Sequence, residues 1–307
     1  MLPVLFLFCA YVARVTEPVV TSEDIAVTEL YTDLASHGRL LLGPYSRFGW
    51  HHPGPLYFYL QAPLYAASNR AGASLFLGAM AINVIALAIV LWTIVRQGRP
   101  GLATVVGIAC LAFALRAPRL LASPWTPHVT ILPTIACLAL AAAVASGRTR
   151  LLSLTAFVAA FVVQTDLALG PPIAVMVMLA LGSVALRARH ESAVPVRDIV
   201  LALGVSAVVW SLPLADAIRH RGGNLAALAQ FFTTRNVRLH SAREALVAWS
   251  ASLAGLARPD LAVAWGGPLR FEGTVWTIPA VGTLMALLGT LTYRAARKRR
   301  VFDAWFA

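Results

Sequence analysis

Charged residues are scarce in this sequence. Only 12% of its 307 residues are Asp, Glu, Lys or Arg, whereas 59% are hydrophobic and the mean hydropathy is +0.74. A soluble domain needs polar residues to cover its surface, but a helix bundle solvated by lipid leaves apolar side chains on its perimeter. The composition therefore argues against a soluble domain and predicts an integral membrane protein.

Lysine is nearly absent, although the formal net charge is +12. Lys298 is the only lysine, and the arginines stand between apolar runs. Nucleic-acid sites gather basic residues on one face or along one helix, whereas arginines in short connections between spans set the orientation in a membrane. We interpret the arginines as topology signals and expect no nucleic-acid partner.

Cysteine is also sparse. Cys9, Cys110 and Cys137 all lie within apolar runs, and none has CxxC or CxxH spacing. This pattern argues against a disulfide framework or a zinc site and is typical of small buried hydrophobic residues.

Apolar runs divide the chain into about eight helical segments. Five runs are near the roughly 20 residues that cross the hydrocarbon core as a helix, and two are shorter, so that each of the two fits a span or a buried or re-entrant helix. The five are 72–95, 128–146, 167–186, 199–215 and 274–292, and the two are 101–115 and 151–165. We expect an all-α integral membrane fold in a single domain, 1–307.

The first apolar run, residues 1–13, is too short to span a membrane and lacks the basic start of a signal peptide. It fits either a signal-peptide remnant or the second half of a first span that begins upstream. The second alternative completes the topology, so we favour it.

The arginines predict the orientation. Alternating passage through the membrane gathers the arginine-rich connections on one side, which is then cytoplasmic. The opposite side receives two long extracytoplasmic loops, 16–71 and 216–273, in which we expect amphipathic interfacial helices and the functional residues. The arginine-rich connections contain Arg96, Arg99, Arg148, Arg150, Arg187, Arg189, Arg197 and the basic group at 294–300.

Polar residues are rare inside the spans, with Asn83 and Gln164 the main exceptions, and no internal repeat is evident. Ion-coupled carriers usually have charged groups and broken helices at mid-depth, so this pattern disfavours them. Asp166 ends a span on the outer face and fits a helix boundary better than a second catalytic carboxylate. His128, at another outer boundary, fits a site lining or a helix-end anchor.

Acidic residues cluster in the first outer loop, where five of the thirteen fall between 17 and 33. Apolar residues recur there at helical spacing, which predicts an amphipathic helix with Thr21 or Ser22 as its N-cap. The apolar stripe, expected to face the protein or the membrane surface, consists of Val27, Leu30, Tyr31 and Leu34.

The acidic residues of this helix fall into two groups. Glu29 and Asp33 lie opposite the stripe and are expected to be solvated. Glu23 and Asp24 lie beside the stripe in the first turn, where they either complement the helix dipole or serve as catalytic groups.

Aromatic residues and two adjacent histidines follow. Seven of the 28 Phe, Trp and Tyr residues lie between 45 and 65, which predicts an aromatic belt and an interfacial helix that starts near Pro55 at headgroup level. His51 and His52 have the chemistry to hydrogen-bond phosphate, move protons or bind a metal. A metal site needs three or four ligands, so no metal site is assigned, and a divalent ion stays an open alternative.

Four short elements occur in a fixed order. They are the acidic pair Glu23-Asp24, a His-Pro-x-Pro-Leu-Tyr element at 52–57, a Pro-Trp-x-Pro-His turn at 124–128, and a later segment with Trp210-Ser-Leu-Pro, Gly-Asn-Leu at 223–225 and Phe231-Phe232. This set resembles the membrane-embedded C-superfamily of glycosyltransferases that use polyprenyl-phosphate sugars, which contains protein O-mannosyltransferases and bacterial lipid A aminoarabinose transferases. Members commonly continue into further spans or an outer C-terminal domain, so the chain reads as a shortened member.

The resemblance implies an inverting transferase in a bacterial cell membrane, multi-pass, that moves a sugar from a polyprenyl-phosphate donor to an envelope glycan, lipid or protein. It implies that a loop carboxylate, Asp24 or Glu23, is the catalytic base. The order here is Glu-Asp where many members have Asp-Glu, so either residue fits the role.

The same chemistry requires groups that hold the leaving phosphate and the acceptor. We expect Arg47, His51 and His52 to do so, and Arg235 and Arg238 to bind the donor phosphate, because arginine binds phosphate in a bidentate manner. Two alternatives remain: a carrier or flippase of lipid-linked glycans, and a scaffold subunit without catalysis. Membrane lipids are partners in all three.

Overall fold

The computed structural model describes residues 20–116, 118–191, 195–234, 241–244, 246, 277–298 and 301–306. The predicted short first span at 1–13 and the predicted phosphate ligands Arg235 and Arg238 lie outside the described residues.

The described chain is almost entirely helical, which confirms the all-α fold class. Two short strands, β1 (Tyr45–Ser46) and β2 (Trp50–His51), form an antiparallel hairpin. The helices are α1 Glu23–Ser36, α2 Leu56–Ala67, α3 Ala73–Arg96, α4 Pro100–Arg116, α5 Pro118–Ala122, α6 Thr126–Val129, α7 Ile131–Ala145, α8 Leu152–Thr165, α9 Gly170–Glu191, α10 Val196–Arg219, α11 Gly223–Thr234, α12 Thr277–Arg297 and α13 Val301–Phe306.

The described residues divide into two compact units. The first runs from residue 20 to Ala114 and from Pro118 to Thr234, and it contains all the site residues discussed below. The second contains α12, α13 and the last residues of α4, and within it α12 packs against α13.

Four helical segments are long and apolar enough to cross a membrane: Ala73–Arg96, Thr126–Ala145, Leu167–His190 and Val196–Arg219. They coincide with four of the five long runs predicted from the sequence. The fifth run forms α12, and the two shorter runs form the apolar helices Pro100–Leu115 and Thr149–Thr165. The total of about eight spans stays a prediction.

The second of these four segments is the centre of the first unit. In Thr126–Ala145, 72% of the most apolar stretch is buried, against 6% in Val196–Arg219. Helix α7 packs against α3, α8 and α9, and its run of alanines permits close approach, as is typical of helix contacts in membranes. The exposed apolar faces of α9 and α10 suit a lipid solvent.

Polar side chains inside the bundle donate to main-chain carbonyls. Asn83 Nδ2 lies 2.9 Å from the Leu121 oxygen, and Gln164 Nε2 lies 2.8 Å from the Val209 oxygen. The second contact has a cause in the sequence. Pro213, inside α10, has no N–H, so the Val209 carbonyl four residues earlier lacks its helical partner. Gln164 supplies the missing donor.

The helix ends fall into two groups. At one end of the bundle, Thr149 Oγ1 donates to Asp198 Oδ2 at 2.6 Å, and Arg187 Nη2 donates to the Ala145 oxygen at 2.8 Å. The arginine also supplies positive charge at the C-terminus of α7, where the helix dipole favours it.

At the opposite end, the loop before α2 meets the ends of α8 and α10. The Leu56 N–H donates to Gln164 Oε1 at 3.3 Å. Gly54 lies so close to Gln164 and Pro213 that a Cβ at this position would collide with both side chains. The segment with the two histidines is thereby fixed at this end.

Helix α1 packs on α2 through a polar face. Its N-cap is Ser22, as predicted, but Thr28 and Thr32 are buried while Leu30 is 57% exposed. The two threonine hydroxyls donate to the carbonyls of Asp24 and Thr28 at 2.9 and 2.8 Å, so their burial leaves no unpaired group. The first half of the apolar stripe therefore does not face the protein.

Helix α2 begins at Leu56, next to Pro55, as predicted, and two of its rings are enclosed by protein. Tyr57 and Phe58 are fully buried. The Tyr57 hydroxyl donates to the Pro124 oxygen at 2.8 Å and accepts from Gln61 Nε2 at 2.9 Å. A tyrosine whose hydroxyl is paired in this way is stable inside a bundle, and the aromatic belt stays a prediction for the other rings of 45–65.

Candidate functional site

The two histidines lie on a short hairpin. In the ladder, Tyr45 is opposite His51 and Ser46 is opposite Trp50. Gly49 lies in the turn with a φ of 89°, a left-handed conformation that glycine adopts without steric cost. The sequence gives no alternating apolar pattern here, so sequence reasoning missed the hairpin.

The ladder continues towards α2. The Gly43 N–H donates to the His52 oxygen at 3.1 Å, and the His52 N–H donates to the Pro44 oxygen at 2.8 Å. A Cβ on Gly43 would lie 2.6 Å from the His52 oxygen and 2.7 Å from the Gly54 oxygen. Glycine is therefore required where these two chain segments meet.

Asn224 joins this hairpin to the second predicted outer segment. Its Oδ1 accepts from the His51 N–H at 2.7 Å, and its Nδ2 donates to the His51 oxygen at 2.7 Å. One amide thus pairs with both main-chain groups of one residue. Two segments that are 173 positions apart in the sequence are held together at the same end of the bundle.

A buried carboxylate positions Asn224. Asp216, 4% exposed near the end of α10, accepts from the Asn224 N–H at 3.0 Å and from His220 Nδ1 at 2.8 Å. Gly223 has a φ of 47° and lies against this carboxylate, so that a Cβ there would collide with it. Sequence reasoning missed Asp216 and His220, although an acid near the end of an apolar run, followed by histidine at i+4, was an available signal.

His52 lies on the other side of the hairpin from His51. Its Nδ1 accepts from the Leu167 N–H at 2.9 Å, and its ring contacts Trp50 edge to face at 5.3 Å. Burial lowers the pKa of His52, with the nearby Asp166 carboxylate opposing and His51 adding to the effect. His52 is therefore neutral at pH 7.

Four aromatic rings surround the tip of the hairpin. Trp50 is 8% exposed and lies 5.7 Å from Phe231, whereas Phe232 is 66% exposed. Phe48 lies 5.4 Å from Phe231. The aromatic pair quoted from the second segment thus packs directly on the histidine hairpin.

The predicted base candidates lie at the start of α1. Glu23 and Asp24 are both exposed in its first turn. Glu23 has a φ of 51°, a left-handed conformation that is uncommon outside glycine and is found more often at functional sites. Within the described residues, neither carboxylate makes a hydrogen bond or ion pair, so both are open to a ligand.

Glu29 and Asp33 are only partly solvated, whereas full solvation was predicted. Both are half-buried. Glu29 accepts from Thr21 and from the Tyr65 hydroxyl, the latter at 3.2 Å, and Asp33 lies 3.5 Å from Arg70 Nε. Burial and the Glu29 carboxylate raise the pKa of Tyr65 to about 12, so the phenol remains a donor. Glu29 thus connects α1 to α2, and Asp33 connects α1 to the turn after α2.

Arg47 is exposed, with its guanidinium over the Phe48 ring at 5.2 Å from the centroid. Asp166 caps the turn before α9 by accepting from the Ala168 N–H at 3.0 Å, which fits the helix-boundary interpretation. His128 Nδ1 lies 2.9 Å from Ser123 Oγ.

No group of three His, Cys, Asp or Glu side chains suited to a metal ion occurs among the residues that the structure describes. Comparison of the chain with protein-family models, curated proteins and solved structures finds no match to any of them.

Replacing Asn224 by alanine should lower the free energy of unfolding by about 2 to 3 kcal/mol, because two hydrogen bonds are lost and the His51 main-chain groups are left without partners. Gln230→Ala on the exposed side of the same helix is the control. Unfolding is measured by heating protein that retains Cys137 as its only cysteine in the presence of a maleimide dye. Cys137 is fully buried, so it reacts with the dye when the protein unfolds. Equal unfolding midpoints for the two variants would show that the pairing of Asn224 with the His51 main chain is not needed for stability.

Proposed function

We propose that the protein is a multi-pass glycosyltransferase of a bacterial cell membrane that moves a sugar from a polyprenyl phosphate to an envelope glycan, lipid or protein on the extracytoplasmic face. The supporting observation is that one face of the molecule carries both the acidic pair and the histidine element. Asp24 precedes Tyr31 by seven residues, so the two lie on the same face of α1, about 10 Å apart along its axis. Tyr31 in turn stacks against His51, with ring centroids 6.3 Å apart.

That spacing suits a sugar held between a carboxylate and a ring system. Asp24 is exposed and Tyr31 and His51 are half-buried, so the face is open to a ligand. The two hydrogen bonds between Asn224 and the His51 main chain hold the second predicted outer segment at the same end of the bundle. A membrane-bound donor reaches such a site from the lipid side, where α9 and α10 expose apolar residues.

The reaction follows from these groups. The carboxylate of Asp24 or Glu23 takes the proton of an acceptor hydroxyl. The acceptor oxygen bonds to the anomeric carbon as the bond from that carbon to the phosphate oxygen breaks, and polyprenyl phosphate leaves with the electron pair. In-line attack inverts the configuration. His52 and Arg47 are the described candidates to hold the phosphate, His52 as a neutral donor and Arg47 as a cation.

The test is release of polyprenyl phosphate. Lipid-linked sugars that accumulate in a deletion strain are extracted, identified by mass spectrometry and supplied to liposomes that contain the purified protein and native membrane extract as acceptor. We expect the protein to release polyprenyl phosphate and to consume the lipid-linked sugar. Movement of intact lipid-linked sugar between leaflets without release would instead support a carrier, and neither release nor movement would support a scaffold.

A further inference from the structure

The main chain determines the tautomer of the His51 ring, that is, which ring nitrogen carries the hydrogen. His51 Nδ1 lies 3.1 Å from the Gly43 oxygen. A carbonyl oxygen only accepts, so Nδ1 carries the hydrogen. In the neutral ring, Nε2 then carries a lone pair and acts as an acceptor.

This ring is held in place from behind. Asn224 pairs with both main-chain groups of His51, and Asp216 in turn accepts from the Asn224 N–H. The buried Asp216 carboxylate thus positions Asn224, and the Asn224 side-chain amide positions the strand that contains His51. Nε2 makes no hydrogen bond with the residues that the structure describes and is not enclosed by them.

Aromatic rings flank that acceptor. Tyr31 is nearly parallel to the His51 ring, at an angle of 22°, and Tyr45 meets it edge to face at 5.2 Å. Tyr45 is 56% exposed. An exposed aromatic ring beside an acceptor nitrogen suits a polyhydroxylated ring, because the C–H face of such a ring packs on aromatic carbon while a hydroxyl donates to the nitrogen.

The neutral His52 ring is the other tautomer. Its Nδ1 accepts from the Leu167 main-chain N–H, so the neutral ring carries its hydrogen on Nε2. Successive residues of an extended chain point to opposite sides, and the rings have different neighbours, Tyr31 and Tyr45 for His51 and Trp50 for His52. The adjacent histidines therefore serve different ligand groups.

We infer that His51 Nε2 accepts a hydrogen bond from a hydroxyl of the lipid-linked sugar and does not bind its phosphate. The inference rests on the proposed function and assigns one residue to sugar recognition. It separates His51 from His52 and Arg47, which the sequence groups together.

Two variants isolate the acceptor nitrogen. His51→Asn keeps a donor near the Nδ1 position but has nothing at Nε2, whereas His51→Gln places an amide oxygen near Nε2. The probes are a prenyl-phosphate mannose, a prenyl-phosphate glucose and the same prenyl phosphate without sugar, each titrated by calorimetry against the full-length protein. We expect His51→Asn to weaken binding of a sugar-bearing probe about tenfold, to change binding of the bare phosphate less than about twofold, and to be partly rescued by glutamine.

Three outcomes would overturn the inference. Equal weakening for all probes would assign His51 to the phosphate. No weakening, or a wild-type protein that binds the sugar-bearing probes no more tightly than the bare phosphate, would remove His51 from sugar recognition. The proposed function fails separately, if the wild-type protein binds the sugar-bearing probe with this His51 dependence yet releases no polyprenyl phosphate.

The tautomer of each histidine is measured on the wild-type protein, so that the result does not depend on how a substitution affects folding. A variant serves only to assign the signal. Nitrogen NMR of protein labelled in its histidine rings distinguishes the two neutral forms, and His51→Gln assigns the signal. We expect the hydrogen on Nδ1 in His51 and on Nε2 in His52. A hydrogen on Nε2 in neutral His51 would overturn the inference.

Discussion

The double variant Glu23→Gln/Asp24→Asn should release polyprenyl phosphate about a hundredfold more slowly than the wild-type protein, or worse, because removal of a general base typically costs a factor of 10² to 10⁴. Both side chains are exposed in the first turn of α1, and the amides have nearly the same shape as the acids. The variant should therefore fold and insert normally, and the loss should fall on the chemical step and not on binding of the lipid-linked sugar.

The single variants decide which residue is the base. Glu29→Gln is the matched control, because Glu29 lies on the same helix and accepts from Tyr65 and Thr21 on separate oxygens. Glutamine keeps one acceptor oxygen there, and its NH2 group can donate to the other hydroxyl. A control with wild-type activity and an inactive double variant assign the base to the first turn. Wild-type rates in the double variant would show that another group takes the proton.

Gly43→Ala should lower the free energy of unfolding by about 3 kcal/mol, since overpacking against atoms that cannot move typically costs 1 to 3 kcal/mol and here also breaks a ladder. The new Cβ would meet the main-chain oxygens of His52 and Gly54 at 2.6 and 2.7 Å. These atoms are not the flexible ends of side chains. Relief requires the hairpin to separate from residue 43, which removes the hydrogen bond between Gly43 and His52.

Gly204→Ala provides the comparison, because a Cβ at that position in α10 meets no atom within 4 Å. Alanine is a better helix former than glycine, so this variant should be as stable as the wild type or more so. Both are measured by the reaction of Cys137 with a maleimide dye during heating. Equal midpoints for Gly43→Ala and Gly204→Ala would show that the hairpin is not tightly packed against residue 43.

The extent of the helices could be predicted from the sequence because a hydrocarbon solvent imposes their length. The run 72–95, for example, corresponds to Ala73–Arg96. Asn83 and Gln164 could be recognised as unusual for the same reason. Their partners, the carbonyls of Leu121 and Val209, could not be predicted, because main-chain groups are present at every position and only the packing selects one.

The orientation of α1 could not be predicted because the hydroxyls of its threonines are paired within the helix. In water, an apolar stripe faces the protein. Here the two threonine hydroxyls donate to carbonyls of the same helix, so that these small side chains pack on α2 without leaving an unpaired group. Thr28 and Thr32 are therefore buried, and Glu29 and Asp33 acquire partners on and beyond α2.

The candidate site was predictable in its components but not in its arrangement. His51 and the Gly-Asn-Leu element that contains Asn224 were both evident from the sequence. The hydrogen bonds between them join residues that are 173 positions apart in the sequence. The role of Asp216 depends on its burial, which composition alone does not indicate.

The contact between Gln164 and the Val209 carbonyl also limits motion. A proline inside a helix usually permits bending, because the residues after it are not tied back by a main-chain hydrogen bond at that point. In α10, bending at Pro213 would pull Val209 away from Gln164 and leave a carbonyl without a donor. The contact thus ties α10 to α8 at the residue whose carbonyl the proline leaves without a main-chain donor. The two helices are therefore held together close to the proline, where α10 would otherwise bend most easily.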